Sequence, residues 1–124
     1  MIRACIFDLG GTIVDKYSLT PLLSFKQIFA SRGINVSHKM VIKDMGKHKY
    51  DHINIMLNEP SVKCQWFHKY NRYSNINDID ELYNDFQIYQ SINTTKYLDI
   101  LPETKSIIEL LQSMDIKIGI TTGF

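Results

Sequence analysis

Apolar positions fall into two short runs at the ends of the chain, with a long stretch of helical spacing between them. Ile2 to Phe7 is apolar apart from Arg3, ends at Asp8 and meets Gly10-Gly11-Thr12. A buried strand running into a glycine-rich turn predicts the opening of a parallel α/β sheet. Thr20-Pro21 then reads as a helix N-cap followed by proline at the first helical position. Leu22, Phe25, Ile28 and Phe29 share a helical face, and Gly33 stands where a C′ glycine belongs. Ser37 can cap a short helix through Met40, Val41 and Asp44, which Met45-Gly46 breaks. Lys47 to Leu57 resumes the spacing with Ile53, Met56 and Leu57, and stops before Pro60. Ser61 opens another helix, with Val62, Trp66, Phe67 and Tyr70 on its buried side. Asn77 can cap the next, where Ile79, Leu82, Tyr83, Phe86 and Tyr89 recur at intervals of three and four. Ile100-Leu101-Pro102 breaks the pattern. Glu103 to Met114 is amphipathic through Ile107, Ile108, Leu110, Leu111 and Met114, and Ile116 to Thr121 is a second buried strand. The predicted order is strand, about four helices, one more helix, strand. Two strands fall short of the five or so of a doubly wound sheet.

Composition narrows the function classes. At 124 residues the chain makes one domain, or a small domain with an insertion. With 44% hydrophobic and 22% charged residues it can build a packed core. A net charge of +1 argues against a general nucleic-acid or membrane-surface binder. Two cysteines, Cys5 and Cys64, are too few for a disulfide scaffold. No apolar run approaches a membrane span, and Asp8 cuts the initial run too early for a signal peptide, so a cytoplasmic protein is expected. Lys outnumbers Arg 11 to 3, a usage typical of AT-rich genomes.

Asp8-Leu9-Gly10-Gly11-Thr12-Ile13-Val14-Asp15 is the most informative stretch. A carboxylate at the C-terminal end of a strand stands where open α/β sheets bind ligands, and small glycines let backbone amides approach an anion closely. The plain alternative is an aspartate that caps a turn. The stretch resembles the first motif of the haloacid dehalogenase superfamily, in which the first Asp attacks phosphorus and forms an aspartyl-phosphate. Asp8 matches that nucleophile. Most phosphatase members place a second Asp, the general acid/base, two residues on. Here Gly10 stands there and cannot transfer a proton.

The phosphonoacetaldehyde hydrolase branch of that superfamily lacks the second Asp and adds a lysine from a helical cap. The lysine forms a Schiff base with the substrate aldehyde. Met45-Gly46-Lys47-His48-Lys49-Tyr50-Asp51-His52-Ile53 resembles its cap motif. By that match Lys49 is the Schiff-base lysine, His52 a proton-transfer residue and Met45 the methionine beside the lysine. At i and i+3, Lys49 and His52 share a helix face. A lone helical lysine is otherwise a solvated surface residue. Thr121-Thr122-Gly123-Phe124 resembles the second superfamily motif, with Thr122 and Gly123 as binders of the phosphoryl oxygens, beside the alternative of a simple strand-end turn. Phe124 stands where the branch carries Tyr.

The resemblance runs from Ile2 to Phe124. It implies an α/β fold, an incomplete Rossmann-type parallel core (1–15 and 98–124) with an inserted α-helical cap (16–97), mostly helical in this chain. Asp8, Lys49 and His52 would be catalytic. Gly11, Thr12, Met45, Thr122 and Gly123 would bind a small phosphonate or phosphate substrate. Asp8 and Gly10 would hold Mg²⁺. The third-motif Lys or Arg and the later acidic Mg²⁺ ligands have no counterpart, so the expected protein is a truncated member, inactive or weakly active alone. Half of a split hydrolase completed by another chain, self-association, and a non-catalytic helical interaction module are the alternatives. Lys39, Lys43, Lys47 and Lys49, with His38, His48 and His52, are interrupted by Asp44 and Asp51 and make a poor nucleic-acid surface. Trp66, Phe67, Tyr70 and Tyr73 read as helix packing.

Overall fold

The computed structural model describes residues 1–123. The element order is β1 (Ala4–Asp8), α1 (Leu19–Ala30), α2 (His38–Lys43), α3 (Lys49–Asn58), α4 (Pro60–Tyr70), α5 (Ile76–Thr94), α6 (Pro102–Ser113) and β2 (Lys117–Thr121). Two compact units share it: 1–20 with 94–124, and 21–93.

In the first unit β1 and β2 pair in parallel, from Ala4 opposite Lys117 to Asp8 opposite Thr121. Bonds from Lys117 N–H to Arg3 O (3.0 Å) and from Leu9 N–H to Thr121 O (3.1 Å) extend the ladder at both ends. The strand expected from Ile2 therefore starts two residues later and runs on to Asp8. α6, opened by Pro102 at its first turn, packs on β2. It closes in a Schellman motif: Asp115 takes φ +57°, its N–H donates to Gln112 O, and the Ile116 N–H donates to Leu111 O. The apolar face expected on α6 exists but is uncovered, since Ile107, Leu110 and Met114 are 48%, 55% and 61% exposed. Ile6 and Ile120 of the strands are exposed as well. Ile13 is the one buried hydrophobic side chain among the described residues of this unit.

The second unit has a closed core. Phe25, Ile28 and Phe29 of α1, Val41 of α2, Ile53, Met56 and Leu57 of α3, Val62 and Trp66 of α4, and Leu82 and Phe86 of α5 are all buried. Their spacing at three and four residues turns one stripe of each helix inward. α1 ends in the expected glycine cap: Gly33 takes φ +68°, its N–H donates to Ala30 O, and the Ile34 N–H donates to Phe29 O. Ser37 caps α2 by accepting from Met40 N–H at 3.1 Å, also as expected.

Several helix starts differ from the sequence reading. α1 begins at Leu19 because Asp15, at φ +53°, accepts from both the Leu19 and Thr20 N–H groups at 2.8 Å. α4 begins at Pro60 with Glu59 before it, one residue ahead of Ser61. α5 is capped by Asn75, two residues ahead of Asn77. The Asn75 side chain accepts from Asn77 and Asp78 N–H, and Asp78 accepts the Asn75 N–H at 2.7 Å. This reciprocal pair is a capping box with Asp in place of the usual Glu. On α4, Phe67 and Tyr70 are partly exposed, and they pack on Tyr73 (5.0 Å) and Trp66 (4.8 Å) respectively.

Arg72 donates to both Asp78 oxygens, at 2.7 and 2.8 Å, and with the Asn75 N–H holds the carboxyl below its ordinary value of 3.8. A carboxylate with a depressed native pKa stabilises the fold above the unfolded value, and that contribution drains as the pH falls through the native one. Asp78→Ala is expected to cost about 1–2 kcal/mol at pH 7, from the lost cap and the lost charged hydrogen bonds. Urea unfolding at pH 7 and pH 3 checks this: the difference between parent and variant should narrow at pH 3, and an equal difference at both would count against the carboxylate's role.

Candidate active site

Two sets of candidate residues form, each within its own unit. In the first unit, ladder pairing places Asp8 beside Thr121, so the C-terminal ends of both strands gather Asp8, Gly10, Gly11, Thr12, Thr122 and Gly123. The turn after β1 is tightly built. Gly11 takes φ +81°, where L side chains are strained, and its N–H donates to Val14 O at 2.7 Å. The N–H groups of Thr12, Ile13 and Val14 all point to Leu9 O, at 3.3, 2.9 and 3.2 Å. Thr104 Oγ1 donates to Thr12 O at 2.9 Å, and Leu101 N–H to Ile13 O at 2.9 Å, which ties the turn to the start of α6. Asp8 itself is exposed at the strand end. Thr122 and Gly123 are exposed too, and Phe124 lies outside the described residues.

In the second unit, α3 carries Lys49 and His52 one turn apart. The helix starts at Lys49, two residues later than expected, because Lys47 N–H still turns back to Asp44 O and Gly46 takes φ +101°. Met45, half-buried, ends the preceding turn by donating to Ile42 O. His52 is fully buried, its ring 4.1 Å from the Phe25 ring at a 47° tilt. Neither ring nitrogen makes a hydrogen bond of good geometry, although the Val41 backbone lies near enough to act on the ring. Burial first, and then the charge of Lys49, hold His52 below its ordinary 6.5; Asp44 and the Val41 carbonyl oppose this weakly. The Lys49 ammonium lies over the Phe25 ring, 5.8 Å from its centre, and burial lowers its pKa from the ordinary 10.5. The neighbouring lysines are engaged differently: Lys47 pairs with Asp44, and Lys43 with Glu59 at 3.1 Å. Lys49 is thus an amine with no carboxylate partner, and its burial favours the neutral, nucleophilic form.

Phe25 is the site residue that sequence spacing places only in the core. Its role as the wall behind Lys49 and His52 comes from α1 packing on α3, a relation that no periodicity within either helix contains.

Mg²⁺ asks for six oxygens in near-octahedral array. The Asp8 carboxylate and the Gly10 carbonyl would be two of them, and no group of three His, Cys, Asp or Glu gathers among the described residues. Asp15, the nearest other carboxylate in the motif, is committed to the start of α1. The residues present do not by themselves make a magnesium site. Among the described residues no helix is long and apolar enough to cross a membrane.

A buried imidazole without a well-formed hydrogen bond costs stability, by about 1–3 kcal/mol for such a group. His52→Leu is therefore expected to raise the urea midpoint. The sign of the pH effect follows from the depressed native pKa. The unfolded chain takes up a proton below pH 6.5 while the fold resists it, so the parent loses stability as pH falls through that value. The advantage of the variant should grow between pH 7.5 and pH 5; a constant advantage would show that the ring is not held neutral.

Comparison with known proteins bears on the family and the fold. The family model described as haloacid dehalogenase-like hydrolase matches residues 5–123. A bifunctional phosphonoacetaldehyde hydrolase/aminoethylphosphonate transaminase of Clostridioides difficile is 37% identical over 99% of this chain and 19% of its own length. The phosphonoacetaldehyde hydrolase of Bacillus mycoides is 32% identical over 99% of this chain and 47% of its own. A phosphonoacetaldehyde hydrolase-like protein from Oleispira antarctica superposes with a TM-score of 0.91 at 31% identity, covering 99% of this chain and 45% of that one. The chain spans about half the length of the curated single-function relatives it matches. The two-stranded parallel sheet with its helices is part of the α/β core and helical insert of such hydrolases, and the chain belongs to the haloacid dehalogenase-like hydrolase family.

Proposed function

We propose that this chain carries the nucleophile and the imine-forming amine of a phosphonoacetaldehyde hydrolase, an enzyme that cleaves the carbon–phosphorus bond of a small phosphono-aldehyde. The observation that carries the reading is Lys49 over Phe25 with neutral His52 one turn away. In this reading the Lys49 amine adds to the aldehyde carbon and water leaves, forming an imine. His52 shuttles the protons that addition and dehydration require. The protonated imine draws electrons from the carbon–phosphorus bond as an Asp8 oxygen attacks phosphorus. That bond breaks, its electron pair passes to carbon as an enamine, and an aspartyl-phosphate remains. Water then releases phosphate from Asp8. Protonation of the enamine and hydrolysis of the imine release acetaldehyde and free Lys49. Gly11 and Thr12, with the Thr122 hydroxyl and the Gly123 amide, are assigned to the phosphonate side of the substrate, and Met45 to the aldehyde side; the Gly11 and Thr12 amides themselves are used within the turn. Gly10 in place of an acid/base Asp suits this chemistry, since the leaving group is carbon made acidic by the imine and needs no proton from a carboxyl.

Asp8 and a phosphonate are both anions. Without a cation between them they repel, and neutralising that charge is a major part of phosphoryl-transfer catalysis. The remaining metal ligands and a phosphate-binding cation are assigned to a completing segment equivalent to the second half of the relatives. The exposed Ile6, Ile107, Leu110 and Ile120 of the first unit favour such a segment, because an apolar sheet and helix face in water calls for a covering partner.

Two outcomes test the reading. Borohydride added with phosphonoacetaldehyde should trap an adduct at Lys49 in preference to Lys43 and Lys47, located by peptide mass spectrometry; equal labelling of the three would show ordinary surface amines and sink the idea. The purified chain should show no more than trace phosphate release, rising when the second half of a relative is supplied in trans and lost again in Asp8→Asn. Mg²⁺-dependent turnover by the chain alone at usual enzymic rates of about 1–10³ s⁻¹ would overturn the need for completion.

A further inference from the structure

The first turn of α3 has no side-chain cap: His48 occupies the N-cap position and makes no capping hydrogen bond. Uncapped first turns fray, because their N–H groups lack partners. Yet the two residues on either side of Lys49 both meet one ring of α5. His48 stacks on Tyr83 at 6.3 Å with an interplanar angle of 27°, and Tyr50 meets the same ring edge-on at 5.6 Å and 72°. The Tyr50 hydroxyl donates to Asp80 Oδ1 at 2.7 Å, one helical turn before Tyr83 on α5. Such ring contacts stabilise beyond their buried area and can do for this turn what the missing cap does not.

We propose that Tyr83 is a positioning residue for Lys49: clasped between His48 and Tyr50, with Tyr50 fixed by Asp80, it holds the first turn of α3 so that the Lys49 amine stays over Phe25 and out of bulk water. The inference rests on the reading of Lys49 as the imine-forming amine, but its geometry lies wholly within residues 21–93. A lysine side chain is four carbons long and strongly hydrated. It stays against an aromatic face only if its Cα is held, and here its Cα is held through its neighbours. Of the ionisable groups around it, His52 shares its helix face and feels its charge, while Asp80 is tied to Tyr50 and Lys47 to Asp44.

The test reads the amine directly and needs no substrate. Each lysine of the full chain is acylated with trace acetic anhydride across pH 6–11, and the rate at Lys49 is compared with that at Lys43 by mass spectrometry. In the parent, Lys49 should become reactive at lower pH than Lys43. Tyr83→Ala should cut the Lys49 rate at pH 7 by at least about threefold relative to Lys43, the factor corresponding to half a pKa unit. Tyr83→Phe, which keeps the ring, should restore the parent profile. Tyr50→Phe with Asp80→Asn, which removes the hydrogen bond and keeps both rings, should move the profile part of the way and serves if Tyr83→Ala does not fold. An unchanged Lys49 profile in a folded Tyr83→Ala protein, or in the double variant where that one does not fold, overturns the positioning role. A parent in which Lys49 reacts like Lys43 overturns instead the reading of Lys49 beneath it.

Discussion

The arrangement of the helical unit depends on one side chain, Phe25. It is fully buried, 4.5 Å from the Phe86 ring of α5 and 4.1 Å from the His52 ring of α3. Three helices therefore close on one ring, and the same ring lies beneath the Lys49 ammonium. A buried Phe in such a place stabilises by about 3–5 kcal/mol relative to Ala, a large share of the 5–15 kcal/mol of a typical domain. The core and the candidate amine site are thus one packing problem. A shift of α1 that left Phe25 unsupported would lose stability and the environment of Lys49 together.

Much of this is legible in the chain before any coordinates, and the limits of that legibility are physical. The helices appear in the spacing of Leu22, Phe25, Ile28 and Phe29, and of Leu82 and Phe86, because burial of one stripe imposes a period on the sequence. Gly33 and Ser37 are readable because each supplies what a helix end chemically requires. The starts of α1, α4 and α5 are misplaced by one or two residues because several capping residues compete locally. Asp15 wins over Thr20 only because its carboxylate reaches two N–H groups four and five residues on, and Asn75 wins over Asn77 because Asp78 answers it. On α4 the period also admits Phe67 and Tyr70, which are exposed at the margin of the buried stripe. At the site, the spacing of Lys49 and His52 puts them on one helix face. The Phe25 wall and the Tyr83 clasp lie on other helices, at sequence distances where periodicity carries no information.

The two units differ sharply in how they satisfy the hydrophobic effect. Residues 21–93 bury a continuous set of large side chains, whereas the strand and helix residues of the other unit leave Ile6, Ile120, Leu110 and Met114 mostly in water. At about 25 cal/mol per Å² of apolar surface, such exposure forgoes several kcal/mol. The first unit is held instead by directional bonds: the β1–β2 ladder, the Leu9 carbonyl turn, and the ties from Leu101 and Thr104 into that turn. Hydrogen bonds of this kind fix the position of Asp8 and its glycines precisely while contributing only about 1 kcal/mol each.

The electrostatics of Lys49 bring two opposed effects onto one amine. The Phe25 ring attracts an ammonium, but at 5.8 Å the contact lies near the outer limit for a cation over a ring, and such contacts are worth about 0.5–1 kcal/mol unless fully desolvated. Loss of hydration disfavours the same charge, and this is the effect that prevails, since the Lys49 pKa is lowered. A nearby carboxylate would reverse the balance; Asp44 and Glu59 are instead spent on Lys47 and Lys43. Were His52 to hydrogen-bond a carboxylate, it too would become cationic, and the two charges would compete for one apolar pocket. Burial lowers the pKa of both the Lys49 amine and the His52 imidazole, and Asp44, engaged with Lys47, only partly offsets this at His52.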